Sequence, residues 1–201
     1  MFSEKLRHFG FLTVTEHPRH GLIGGYLVLN HLGRPVEFHC TTPVRANRAQ
    51  EILYGATLDA FLYGEQVGRI LVQKAKTQPN AVLTDHARVL AVQDFVETPV
   101  VYIPGQKTNI HNGLQLLRSD DVEAETDATP NEFVALDSIP GISAGRWSEH
   151  KIGRHQVAIP ESASRSVAEI VADLKDVSHA IDFLEPFERI RLAVEEAQKA
   201  A

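Results

Sequence analysis

Leu22-Ile23-Gly24-Gly25-Tyr26-Leu27-Val28-Leu29-Asn30, His31-Leu32-Gly33-Arg34 and Pro35-Val36-Glu37-Phe38-His39-Cys40-Thr41 form the stretch whose reading decides the fold. Residues 22–30 are apolar on both alternating faces, which marks a strand covered on two sides. The four residues that follow make a short connection, with Gly33 free to adopt a positive φ. Residues 35–41 alternate. Val36, Phe38 and Cys40 share one face, and Glu37, His39 and Thr41 the other. A proline is tolerated at the first position of such a strand. The stretch is therefore a β-hairpin over about 22–41, and the unbroken apolarity of its first strand places it near the centre of a sheet. Gly24 and Gly25 lie inside the strand and no helix opens behind them, so they are not a nucleotide-binding fingerprint. They mark a bulge or a close backbone approach.

Working outward, residues 9–15 read as a preceding strand. After Pro43, Asn47 and Gln50 have capping-box spacing and Gly55 stands at a helix end, giving a short helix over 48–54. Thr57 opens a longer helix to about residue 75, with Gly64 and Gly68 four apart inside it. Each interior glycine costs about 1 kcal/mol against alanine, so a close approach to a neighbour must offset it. Residues 81–84, 85–97 and 99–103 read as strand, helix and strand, a βαβ-like unit over about 81–103 with parallel strands. Residues 132–139 and 157–159 are weaker strand signals. Ser166 and Glu169 form a second capping box, and Val167, Ile170, Leu174 and Val177 continue at helical spacing. A last amphipathic helix carries Phe187, Ile190, Val194 and Ala197, with Pro186 suited to its first turn. The expectation is an α/β chain, leaning to α+β, with a mixed sheet of five to seven strands, a central antiparallel hairpin and two C-terminal amphipathic helices.

The 201 residues are 43% apolar and 23% charged, as in ordinary globular chains. They are expected to form a single domain over 1–201, with a C-terminal helical segment at about 164–200. The longest clean apolar stretch has eight residues, 22–29, far short of the ~20 of a membrane helix. Met1-Phe2-Ser3-Glu4-Lys5 has no apolar core, so no signal peptide is expected. Cys40 is the sole cysteine, which fits a reducing, cytoplasmic compartment and excludes paired-cysteine metal or redox motifs. The net charge of -6 belongs to one segment. Residues 119–132 hold six acids and no base, and the rest of the chain is balanced. With periodicity lost around them, residues of about 105–131 are expected to form an acidic mobile loop. Residues 1–48 carry six bases against three acids. That is too sparse for the basic stripe of a nucleic-acid binder, so nucleic acid is not expected as a partner.

Candidate chemistry is scattered. Glu37 and His39 lie about 7 Å apart along one strand face, near enough for a carboxylate to orient an imidazole. Cys40 points the other way and is expected to pack as a small hydrophobe. Asp85 follows directly on a strand, where ligands of open α/β sheets bind, although an N-cap role explains it equally well. Glu37, His39 and Asp85 are the candidate catalytic residues. Arg45 and Arg48, near the start of the short helix, are candidate anion ligands. His17 and His20 flank Pro18 without the spacing of a helical or knuckle ligand pair, and no metal site is expected. Neither a nucleophile elbow nor a phosphate-binding loop is present.

No contiguous motif fixes an activity, and no cofactor is implied. The first expectation is a cytoplasmic accessory or binding module that acts through a protein partner or by self-association. The alternative is a hydrolase acting on an anionic small molecule or nucleotide, in which Glu37, His39 and Asp85 converge on one cleft beside Arg45 and Arg48. A third reading is an obligate oligomer subunit without a ligand.

Overall fold

A computed structural model describes residues 7–17, 20–104, 136, 139–142 and 146–199. The chain forms one seven-stranded mixed sheet, β1 His8–His17, β2 Gly21–Asn30, β3 Pro35–Cys40, β4 Ala81–Thr84, β5 Val100–Tyr102, β6 Trp147–Ile152 and β7 His155–Pro160. The spatial order is β3-β2-β1-β4-β5-β7-β6. β1, β2 and β3 are successive antiparallel neighbours, whereas β4 runs parallel to β1 and β5 parallel to β4. The expected acidic loop at 105–131 and most of the expected strand at 132–139 lie outside the described residues.

The hairpin forms where it is expected, but at one end of the sheet rather than at its centre. β2 is flanked on both sides, and β3 is an edge. The central strand is β4, between β1 and β5. Runs of apolar residues identify a strand covered on two faces, and they do not say how far it lies from an edge. β3 also inverts the expected burial. Val36 is 46% and Phe38 39% exposed, while the Glu37 and His39 side chains are mostly covered.

Helices cover both faces. On one side α3 (Val167–Val177) and α4 (Glu185–Lys199) pack on Phe9, Phe11, Leu27, Leu29, Leu83 and Val101. On the other, a π-helical stretch over Ala60–Arg69 runs on into α2 (Ile70–Lys74), and a 3-10 stretch over Ala87–Phe95 joins β4 to β5. These pack on Leu12, Val14, Tyr26, Val28, Val82 and Val100. α1 (Arg48–Tyr54) has the expected capping box of Asn47 with Gln50, yet it buries no residue. The capping box of Ser166 with Glu169 likewise opens α3.

Close packing explains the interior glycines. A Cβ on Gly24 would lie 2.1 Å from Val67 Cγ1, and one on Gly25 2.2 Å from Ile190 Cγ2. Adjacent strand residues face opposite ways, so the pair lets a helix seat on β2 from each side. Gly64 meets Ala91 at 2.7 Å and Gly68 meets Val92 at 2.9 Å in the same sense, which joins the two helical stretches of that layer.

α4 supplies a stability test. Ile190 is buried against β2 and Leu192, two residues on, is 62% exposed. Ile190→Ala should cost about 2–5 kcal/mol by transfer and cavity formation, and Leu192→Ala no more than about 0.5 kcal/mol. Urea denaturation of the two variants measures the contrast, and equal losses would refute the described seating of α4.

Candidate functional site

β1 is the point at which the chain reverses its direction of travel across the sheet. From β1 it builds β2 and β3 to one side, then returns to lay β4 and β5 on the other. Open α/β sheets bind ligands outside the carboxyl ends of strands at such a switch point. Both parallel strands end there in polar residues, β1 in Glu16 and His17, and β4 in Thr84 followed by Asp85 and His86.

Strand alternation sends these side chains to opposite faces. Glu16 and His86 lie on the face covered by residues 60–69. The Tyr63 hydroxyl donates to Glu16 Oε1 at 2.5 Å, and Arg88 Nη1 donates to the same oxygen at 3.1 Å and to the Tyr63 hydroxyl at 3.1 Å. Arg88 Nε pairs with Asp59 at 3.2 Å. The His86 ring stacks on Tyr63 at 4.9 Å, with its Nε2 3.9 Å from Glu16. Burial, then the adjoining Glu16 carboxylate, push the Tyr63 phenol well above its usual range, so it stays protonated and donates. Burial likewise holds the His86 imidazole below its ordinary value, against the opposing pull of Asp85.

Asp85 turns to the other face. It is buried, and Arg191 of α4 donates from Nη2 to its Oδ2. The other carboxylate oxygen, Oδ1, and His86 Nδ1 are buried without a hydrogen-bond partner among the described residues, as is Thr13 Oγ1. Thr13 and Asp85 each lie two residues beyond the paired Phe11 and Leu83, on the same face of adjacent strands. The described residues contain no cluster of three or more His, Cys, Asp or Glu side chains arranged to hold a metal ion.

The other candidates from the sequence lie elsewhere. Glu37 and His39 are brought together, with His39 Nε2 2.7 Å from Glu37 Oε1. That carboxylate also accepts from the backbone amides of Lys76, at 2.9 and 3.1 Å, and of Thr77, at 3.0 Å. It thus fastens edge strand β3 to the turn after α2. β2 and β1 stand between β3 and β4, a separation of about 14 Å at the usual strand spacing. The structure therefore does not bring Glu37 and His39 into one cleft with Asp85. Arg48 is the first residue of α1 and pairs with Glu51 on the outer surface. Arg45 packs beside Gly21, where the Val44–Leu22 bridge joins β2.

Sequence reasoning found Asp85 because it follows a strand directly. Glu16 could have been found by the same rule applied to β1. Arg88, Tyr63 and Arg191 carry no such signal. Arg191 is 106 residues from the carboxylate it meets.

The sequence matches no family model, and no curated protein is significantly similar. Solved structures do resemble the chain. The catalytic domain of human Endonuclease V aligns with a TM-score of 0.50 at 12% identity, over 98% of this chain and 84% of that one. Ciona intestinalis Endonuclease V, in complex with a 24mer DNA containing an inosine followed by a ribo-adenosine, aligns at 0.44 and 12% identity, over 96% and 87%. Marinitoga piezophila Argonaute, in complex with 5' OH guide RNA, aligns at 0.38 and 9% identity, over 90% of this chain and 27% of that one. The likeness to the human domain is one of fold.

The fold likeness, to the catalytic domain of an endonuclease, corrects the expectation of an accessory module working through a protein partner. The argument from a missing motif fails because this fold assembles polar groups from the ends of separate strands. The expectation against nucleic acid falls too. A charge count along the sequence does not register that Arg88 and Arg191, far apart in the chain, reach the same end of the sheet, one on each face. No helix among the described residues is long and apolar enough to cross a membrane.

The Glu37 clamp has a pH signature. The Lys76 amide, then His39 and the Thr77 amide, hold this carboxyl down to about 2 from an ordinary 4.5. A depressed carboxyl pKa stabilises the fold above the unfolded value, and the contribution is lost as pH falls through the folded one. The stability advantage of the parent over Glu37→Gln should hold at pH 6 and shrink between about 4.5 and about 2. Chemical denaturation of both proteins across that range measures it, and a constant difference would dismiss the clamp.

Proposed function

We propose that this protein engages nucleic acid, with the carboxyl ends of β1 and β4 as its contact site. The observation that carries the proposal is the polar cluster at the switch point of a sheet whose fold is that of an endonuclease catalytic domain. Two guanidiniums at this end of the sheet, Arg88 on one face and Arg191 on the other, remain partly exposed. Planar guanidinium forks match the oxygens of a phosphodiester backbone. The segment leading into Asp59 adds a stacked pair, Tyr54 on Phe61 at 4.0 Å, and the exposed apolar side chains of Ile52 and Leu53. Aromatic faces and apolar side chains are what proteins offer to bases.

A second reading, phosphodiester hydrolysis, is favoured by one further observation. Asp85 Oδ1 and His86 Nδ1 are buried and unpartnered at this edge, and orphan polar atoms in a folded interior call for a functional explanation. The lone cysteine, partly buried against the core, supports a reducing compartment, and we place the protein in the cytoplasm.

Fluorescence anisotropy with labelled single- and double-stranded DNA and RNA oligonucleotides tests the proposal. Binding should weaken as salt rises, and Arg88→Gln should reduce the slope of log affinity against log salt by about one. Arg34→Gln, in the turn between β2 and β3 at the opposite end of β1, should leave the slope unchanged. Failure to bind every oligonucleotide at low salt would overturn the reading. Gel analysis of the same mixtures decides the second reading, which requires cleavage products that disappear in Asp85→Asn.

A further inference from the structure

α4 carries Arg191 across the end of the sheet to Asp85, whose side chain is only 7% exposed. Glu188, one turn earlier on the same helix, accepts from Arg191 Nη1 at 2.6 Å and so orients the guanidinium. One oxygen of Asp85 receives this cation, and the other faces the interior without a partner among the described residues. The Thr13 hydroxyl, at the same level on the adjacent strand and face, is also buried and unpartnered. Asp85 thus already holds one positive charge, with a second buried side-chain oxygen, that of Thr13, on the adjacent strand and the same face.

Hard divalent cations are taken by carboxylate and other oxygen donors, and many phosphodiester-cleaving enzymes hold such ions at carboxylates. The donor set here does not fit that chemistry. Asp85 brings one buried negative charge, and the guanidinium of Arg191, which it shares with the exposed Glu188, already holds it. Glu16, on the opposite face, is occupied by Tyr63 and Arg88. No third acid converges among the described residues.

We infer that Arg191 is the resident cation of this site, filling beside Asp85 the place of a divalent metal ion, so that the protein works at this edge without divalent metal. The inference deepens the proposal above and rests on reading this edge as the functional one. It also makes Asp85 a latent metal ligand, uncovered when the guanidinium is withdrawn.

The test titrates the full-length chain with MnCl2, following thermal unfolding and, for bound Mn2+, the relaxation of water protons. The parent should show no Mn2+-dependent rise in melting temperature and should behave as Asp85→Asn does. Arg191→Met keeps the side-chain length and removes the charge. It should acquire a Mn2+-dependent rise in melting temperature that the double variant Asp85→Asn/Arg191→Met lacks. Uptake of Mn2+ by the parent that is lost in Asp85→Asn would overturn the inference, as would a folded Arg191→Met that takes up none. Should Arg191→Met fail to fold, rescue by Mn2+ but not by NaCl of equal ionic strength is expected, and absence of rescue overturns the inference. No readout uses an oligonucleotide, so a failure here is distinct from a failure to bind nucleic acid.

Discussion

Everything in this molecule depends on a sheet covered on both faces at van der Waals distance. The constraint is sharpest at Gly24 and Gly25, where Val67 and Ile190 approach β2 from opposite sides to within about 2 Å of any added Cβ. Were either residue larger, one helical layer would have to stand off, and the buried contacts of that layer would loosen along its length. α4 is held by this approach, and Arg191 lies only one residue beyond Ile190. The seating of a helix on a glycine therefore fixes where a guanidinium reaches the end of the sheet. Packing and electrostatics are coupled here through one turn of helix.

The two faces at the switch point solve a charge problem in different ways. On the face covered by residues 60–69, Glu16 remains exposed and is shared by Tyr63 and Arg88. Water still screens that network, so its individual pairs contribute little to stability. On the α4 face the carboxylate is buried, and its single counter-ion matters far more, because an unmatched charge there has no solvent to turn to. Neutral His86, held by burial and stacked on Tyr63, adds no third positive charge.

How much of this was legible from residue order follows the range of each interaction. The hairpin, the parallel pair around Ala87–Phe95 and the capping boxes at Asn47 and Ser166 are local, and local patterns foretold them. Asp85 was visible because it follows a strand directly. The pairing of β1 with β4 joins segments about seventy residues apart and leaves no periodic trace, so the hairpin was placed at the centre instead of the edge. Glu37 shows the same limit. Alternation correctly put it on the same face as His39, but whether that face meets solvent or the turn after α2 depends on Lys76 and Thr77. The helix expected through residue 64 formed with π-type turns over Ala60–Arg69, and its Gly64 and Gly68 lie close against Ala91 and Val92, contacts remote in sequence.

A ribosome makes this chain from its amino end, so β1 and β4 exist before α4 does. Until the last helix emerges, Asp85 has no arginine to meet and Gly25 no isoleucine to seat. The half-made sheet therefore keeps its carboxylate in water, and the α4 face closes only when the final helix arrives. Synthesis order thus brings α4 after the strands whose apolar face and buried carboxylate it covers.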